Sequence, residues 1–163
     1  MKYHNITKDD MVNGDGLRVV LWVSGCEHKC KGCHNQITWD KNCGLDFNEC
    51  TKEEIFKELQ KDYIQGITLS GGDPLHIDNR ESIYLLVKEI KSNFPMKDIW
   101  LYTGYVWEEI KDLEVIKYID VLVDGKFVQS LASKSYKWAG STNQRIIDVK
   151  KSLRENKIIS KGE

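Results

Sequence analysis

The sequence predicts an α/β fold, a parallel sheet with flanking helices arranged as an open sheet or a partial, incomplete TIM-like barrel. Three observations predict it. Short apolar runs rich in β-branched and aromatic residues alternate with longer stretches of helical periodicity, the pattern of βαβ units with right-handed crossovers. Each run ends in a turn-rich loop, so the loops share the carboxyl edge of the sheet, where open parallel sheets and barrels place their ligand sites. The chain has 163 residues, whereas a closed eight-stranded barrel takes about 250. That length supports one domain over residues 1–163 with a proper core.

Taken in order, residues 1–11 alternate poorly and read as an irregular or short-strand lead-in, with His4 a structural side chain. Asn13-Gly14-Asp15-Gly16 is a turn signal without the spacing of a dinucleotide fingerprint. LRVVLWVS, residues 17–24, reads as a strand buried on both faces. The polar stretch 39–49 follows, and Thr51 with Glu54 forms a capping box for a helix over 51–63, with Ile55 and Leu59 on one face. GITLS, residues 66–70, is a second strand and runs into Ser70-Gly71-Gly72-Asp73-Pro74, whose glycines let backbone approach a ligand. His76 is a loop residue.

A helix over 78–94 places Ile83, Leu86, Val87 and Ile90 at i, i+3, i+4 and i+7, and Pro95 ends it. DIWLYT, residues 98–103, is a third strand closed by Gly104-Tyr105. Trp100, Tyr102, Tyr105 and Trp107 read as core by pattern. Residues 106–118 predict a helix, 119–123 a fourth strand ending at Asp124-Gly125, 126–141 a loop with local helix, and 145–149 a further strand. From 150 onward the lysine-rich end reads as a solvated or frayed tail.

Net charge is −1 with 30% charged residues, which argues against nucleic acid and anionic membranes as partners. No apolar run approaches the roughly 20 residues of a membrane span. Nothing before Cys26 resembles a signal peptide, and five cysteines in such a chain fit a reducing, cytoplasmic compartment.

Three of those cysteines, Cys26, Cys30 and Cys33, fall within eight residues. Thiolates at this spacing on a loop can converge on one metal centre, which offsets the charge each acquires on losing its proton. Zinc would need a fourth ligand, from His28, His34 or Cys43. An iron–sulfur cluster held by three cysteines instead leaves one iron open for a substrate. Spacing alone leaves both readings standing. Cys43 and Cys50 read as plain thiols.

Cys26-x3-Cys30-x2-Cys33 resembles the signature of radical S-adenosylmethionine enzymes, and SGGDP resembles their glycine-rich segment. NGDGLR, VSGCEHKCKGCHN, SGGDPL, IWLYTGY, VLVDGKF and GSTNQRIIDV are similar, in order and spacing, to the branch that activates anaerobic ribonucleoside-triphosphate reductase. The resemblance covers residues 3–149. It implies an incomplete barrel of the radical S-adenosylmethionine type and a 4Fe-4S cluster on Cys26, Cys30 and Cys33, with S-adenosyl-L-methionine on the open iron. Reductive cleavage would yield a 5′-deoxyadenosyl radical that takes a hydrogen atom from a glycine of the reductase large subunit, the electron coming from a low-potential donor such as flavodoxin or ferredoxin.

For the nucleoside and methionine parts the resemblance implies Gly32, Cys33, His34, Ser70, Gly71, Gly72 and Asp73, with Asp73 meeting the amino group. Thr103 and Asp124 join them by edge position alone. The wider superfamily carries an aromatic residue where this chain has Gly32, and Glu where it has Asp73. Asn143 and Gln144 match the terminal motif without a physical role. Other readings are an activator of a different glycyl-radical enzyme, of formate-lyase-activator type, a small iron–sulfur electron carrier, or a zinc-stabilised binding module.

Overall fold

A computed structural model describes residues 1–162. Its strands are β1 (Lys2–Asp10), β2 (Leu17–Val23), β3 (Leu45–Asp46), β4 (Ile64–Gly71), β5 (Asp98–Tyr102), β6 (Val121–Asp124) and β7 (Arg145–Asp148), and its helices are α1 (Glu49–Leu59), α2 (Arg80–Asn93), α3 (Trp107–Ile110) and α4 (Val149–Glu155). All seven strands form one sheet in the order β3-β1-β2-β4-β5-β6-β7. The four central strands are parallel, as the βαβ pattern predicts.

The margins depart from the expected all-parallel sheet. β1 and β3 pair antiparallel on one side and β7 on the other. The physical cause lies in the connections: a few turn residues join β1 to β2, which permits only a hairpin, and no helix crosses over between β6 and β7. β1 is a full strand rather than a lead-in. Register shifts between Tyr3 and Asn5 and between Thr7 and Asp10 explain its poor alternation, since each irregularity resets which face a side chain takes.

Val19, Val20, Leu21 and Val23 are fully buried, so β2 is covered on both faces as its apolar run requires. One face carries the main core, to which α1 contributes Ile55 and Leu59 and α2 contributes Ile83, Leu86, Val87 and Ile90. On the other, Trp100, Val121 and Val123 are covered by Trp138 and Ala139 of the β6–β7 connection.

Helix ends differ from expectation in several places, α1 among them ending at Leu59 and not at 63. α1 starts two residues earlier, because Asn48 takes the cap and its Oδ1 accepts from the Thr51 N–H at 3.1 Å. The helix expected over 106–118 divides into α3 and a 3-10 turn, Glu114–Tyr118, since Leu113 is extended between them. Residues 150–162 are no frayed tail. Asp148 caps α4 through the Lys151 N–H, Asn156 ends it in the left-handed conformation, and the chain returns to pair beside β7, with Lys161 N–H on the Ile146 carbonyl. Glu163, the last residue of that expected tail, lies outside the described residues. No helix among them is long and apolar enough to cross a membrane.

Candidate active site

The cysteine loop leaves β2 through Ser24 and Gly25. Two backbone bonds anchor its start, Gly25 N–H to the Thr38 carbonyl at 2.7 Å and Cys26 N–H to the Trp39 carbonyl at 3.0 Å. Alongside it, the glycine loop leaves the neighbouring β4. Gly72 N–H bonds the Val23 carbonyl at 2.8 Å and Asp73 N–H the Gly25 carbonyl at 2.7 Å. The loops touch so closely that a Cβ on Gly71 would stand 2.6 Å from the Val23 nitrogen, and one on Gly72 2.6 Å from the Gly25 oxygen. Gly71 also holds φ near +105°, which side chains other than glycine's resist.

Cys26, Cys30 and Cys33 are free thiols, half-buried, and line one cleft with Ser70, Gly71, Gly72, Asp73 and Thr103. His34 and Phe127 also line it, their rings edge-on at 6.0 Å. Gly32 and Asp124 lie outside that lining. Gly32, at φ +77°, backs onto the Gln129 side chain. Asp124 is 1% exposed; its Oδ2 accepts from Trp107 N–H, and both oxygens hold the Arg145 guanidinium. Arg145 in turn forks onto Glu108, and this charge-assisted contact pulls the Glu108 carboxyl down to about 2. Asp124 therefore organises the start of α3, not the cleft.

Asp73 differs from expectation in what its carboxylate does. Oδ1 accepts from Leu75 N–H and Oδ2 from Gly104 N–H, while Thr103 Oγ1 lies 2.9 Å from both oxygens. His28 Nε2 completes the set, 2.6 Å from Oδ2. The carboxylate is 2% exposed and already filled by its own chain. Thr103 is likewise committed to Asp73 and to the Tyr105 N–H.

Sequence reasoning left out His28 as more than a spare ligand, and it left out Asn79. Asn79, 2% exposed, donates its amide to the Ser24 and Asp73 carbonyls and so staples the two loops. Its signal, a polar residue just before a helix, is shared by any N-cap. Gln144, which sequence alone left without a role, accepts from Gly140 and Ser141 N–H and donates to the Gly125 carbonyl. Asn143 donates to the Lys126 carbonyl. Together they close the β6–β7 connection upon itself at the side of the cleft.

The donor set suits an iron–sulfur cluster. Burial pushes the Cys26 thiol up to about 11 despite N–H contacts from His28 and Lys29, and a cationic centre would favour its thiolate. The irons of a cluster are spread and each takes its own thiolate, which suits three cysteines carried on one loop. Cys43 and Cys50 are exposed and stand outside the cleft; the Cys43 thiol contacts Asp40 at 3.3 Å.

Residues 12–147 match the family described as the 4Fe-4S single cluster domain. The chain is 53% identical over 146 residues to an anaerobic ribonucleoside-triphosphate reductase-activating protein of Enterobacteria phage T4, covering 90% of this chain and 93% of that one. It is 47% identical over 148 residues to the protein of that name from Escherichia coli K12, covering 88% and 96%, and 45% identical over 150 residues to that of Vibrio cholerae, covering 90% and 97%. With likeness running through almost the whole chain, this protein belongs to the family of anaerobic ribonucleoside-triphosphate reductase-activating proteins.

Proposed function

We propose that the chain is a radical S-adenosylmethionine activase that generates a glycyl radical on the large subunit of anaerobic ribonucleoside-triphosphate reductase. Cys26, Cys30 and Cys33 would hold the 4Fe-4S cluster, and S-adenosyl-L-methionine would chelate the fourth iron. When bound, that pair supplies one-electron cleavage of the sulfonium C–S bond and the carbon radical that takes hydrogen from glycine. The observation that carries the reading is a cleft holding three thiols, with the glycine loop packed directly against the loop that bears them.

The chain's own part is to bind and orient. Ser70 Oγ and the Gly72 carbonyl line or border the cleft and have no hydrogen-bond partner among the described residues. They are the polar groups best disposed to meet the methionine amino group. Asp73 and Thr103 would act one layer behind them, holding the glycine loop in place. His34 and Phe127 offer ring surfaces for the nucleoside. The same reading makes residues 1–163 one domain and the four parallel strands part of an incomplete barrel, with a flavodoxin or ferredoxin as electron source in the cytoplasm.

Anaerobic reconstitution with iron and sulfide, reduction, and addition of S-adenosyl-L-methionine test it. Expected are 5′-deoxyadenosine, a cluster paramagnetic resonance signal that changes on adding the cofactor, and a glycyl radical on the purified reductase. A zinc-loaded, redox-silent protein would remove the reading. Radical formation only on a formate-lyase-type partner would move it to the other branch of activators.

A further inference from the structure

We infer that His28 is a positioning residue that seats the cysteine loop on the glycine loop, and so sets the span between the cluster and the groups that grip S-adenosyl-L-methionine. The inference deepens the proposed function and rests on it. Its ground is how little else holds this loop. From residue 27 to residue 32 no backbone group bonds another element among the described residues: Cys33 N–H returns to Cys30, and the His28 and Lys29 amides turn in toward the Cys26 sulfur. Lys29 even takes φ +48°, a left-handed conformation that costs a non-glycine residue about 1 kcal/mol. A stretch so poor in external bonds depends on its side chains for its place.

Among the described residues, two of those side chains make polar contacts outside the loop. Glu27 is 75% exposed and stands 3.4 Å from His76 Nε2, a contact that water competes for. His28 is the other, and it is fixed on three sides. Its Nε2 lies 2.6 Å from Asp73 Oδ2, its ring meets Tyr105 edge-on at 4.7 Å, and it covers Gly104 so tightly that a Cβ there would fall 2.4 Å from the ring Cδ2. Asp73 is pinned in turn by Thr103, Gly104 and Leu75. One imidazole thus joins three strand-end loops, those after β2, β4 and β5. A small error in the span matters, because displacement of reacting groups by about 1 Å can cost two orders of magnitude.

The test uses the full chain, reconstituted anaerobically, with iron and sulfide content, cluster paramagnetic resonance and equilibrium dialysis of labelled S-adenosyl-L-methionine as readouts. His28→Leu keeps bulk and loses the donor. It should load cluster like the parent and bind the cofactor roughly tenfold to hundredfold more weakly, with a smaller spectral change on addition. His28→Gln restores an N–H near the Nε2 position and should stay within about threefold of the parent. Gly104→Ala should reproduce the loss by pushing the ring out, and His28→Ala with Gly104→Ala should be no worse than His28→Ala alone.

Parent-like cofactor binding by His28→Leu would overturn the inference while leaving the proposed function intact. So would a folded His28→Leu that takes up no cluster, since the residue would then serve cluster assembly. A parent protein that loads cluster and binds no S-adenosyl-L-methionine would remove both, and that arm distinguishes the two failures.

Discussion

Arg18 offers a stability prediction at the end of the sheet away from the cleft. Its side chain is fully buried in β2, an unusual place for a guanidinium. Nε donates to Thr68 Oγ1 at 2.8 Å, Nη1 to the Asp15 carbonyl at 2.8 Å, and Nη2 to the Ile67 carbonyl at 2.9 Å and Asp98 Oδ1 at 2.5 Å. The guanidinium also lies 5.4 Å from the Trp100 ring centroid. Arg18→Met keeps the aliphatic bulk, removes every donor and takes from the Asp15 and Ile67 carbonyls and from Asp98 Oδ1 the guanidinium they accept from. Breaking a buried ion pair from one side costs about 3–5 kcal/mol. Asp98 remains 27% exposed, so water takes over part of its solvation and about 3 kcal/mol is the better figure. For a chain of this size that is a fall in Tm of roughly 6–12 °C. Urea unfolding of the cluster-free protein under reducing conditions measures it. A loss below about 1 kcal/mol with an unchanged fold would refute the reasoning, because the bonds would then be offset by the cost of burying the charge. Cluster loading of the folded variant should stay normal, since β2 carries Arg18 at its amino end and the cysteines beyond its carboxyl end.

Three further outcomes can be measured. Gly71→Ala should lower stability by about 2 kcal/mol or more, since it combines a left-handed φ with a Cβ against the Val23 nitrogen; thermal unfolding reports the loss, and weakened cofactor binding should accompany it. Asn48→Ala should cost about 1 kcal/mol by removing the α1 cap, and a silent substitution in urea unfolding would return the cap to Thr51. Glu108, depressed to about 2 by Arg145, contributes stability that is present above its unfolded value of about 4.3 and fades as pH falls toward 2. At 59% side-chain exposure the contribution stays under about 1 kcal/mol. Glu108→Gln should therefore be slightly less stable at pH 7 and approach the parent between pH 4 and pH 2 in a stability–pH series.

The parts of the fold legible in the sequence are those governed by local period. Ile83, Leu86, Val87 and Ile90 announce α2, and the apolar run of β2 announces a strand covered twice. Chain direction at the sheet margins is not a local property. β7 looks like one more strand of the series, and only the helix-free return from β6 turns it antiparallel. α4 was hidden by its lysines, because a solvated helix and a frayed end share that composition, and the Asp148 cap alone separates them. At the site, the cysteines and the glycine segment are legible because their chemistry demands residue type and spacing. What a carboxylate faces is a three-dimensional fact. Asp73 and Asp124 both lie at carboxyl ends of strands on the same edge, yet one faces His28 and Thr103 while the other serves Arg145 and the start of α3.

The two residues at which this sequence differs from the radical S-adenosylmethionine signature it resembles, Asp73 and Gly32, can be read against these contacts. With Asp at position 73, the carboxylate reaches Thr103, the Gly104 amide and His28 together. A Glu would carry the carboxyl one methylene further, into the slot the imidazole fills, and could not keep all three partners without moving the cysteine loop. Gly32 leaves room on the opposite side of that loop. A Cβ there would stand 2.8 Å from Gln129 Nε2, the end of an exposed and flexible side chain, so an aromatic residue in its place would displace that side chain and carry the strain of φ +77°. A short acid thus holds the loop from the glycine side through His28, while Gly32 leaves space that the Gln129 side chain occupies. Asp73→Glu should therefore disturb the cysteine loop through His28, whereas a side chain at position 32 should act first on Gln129.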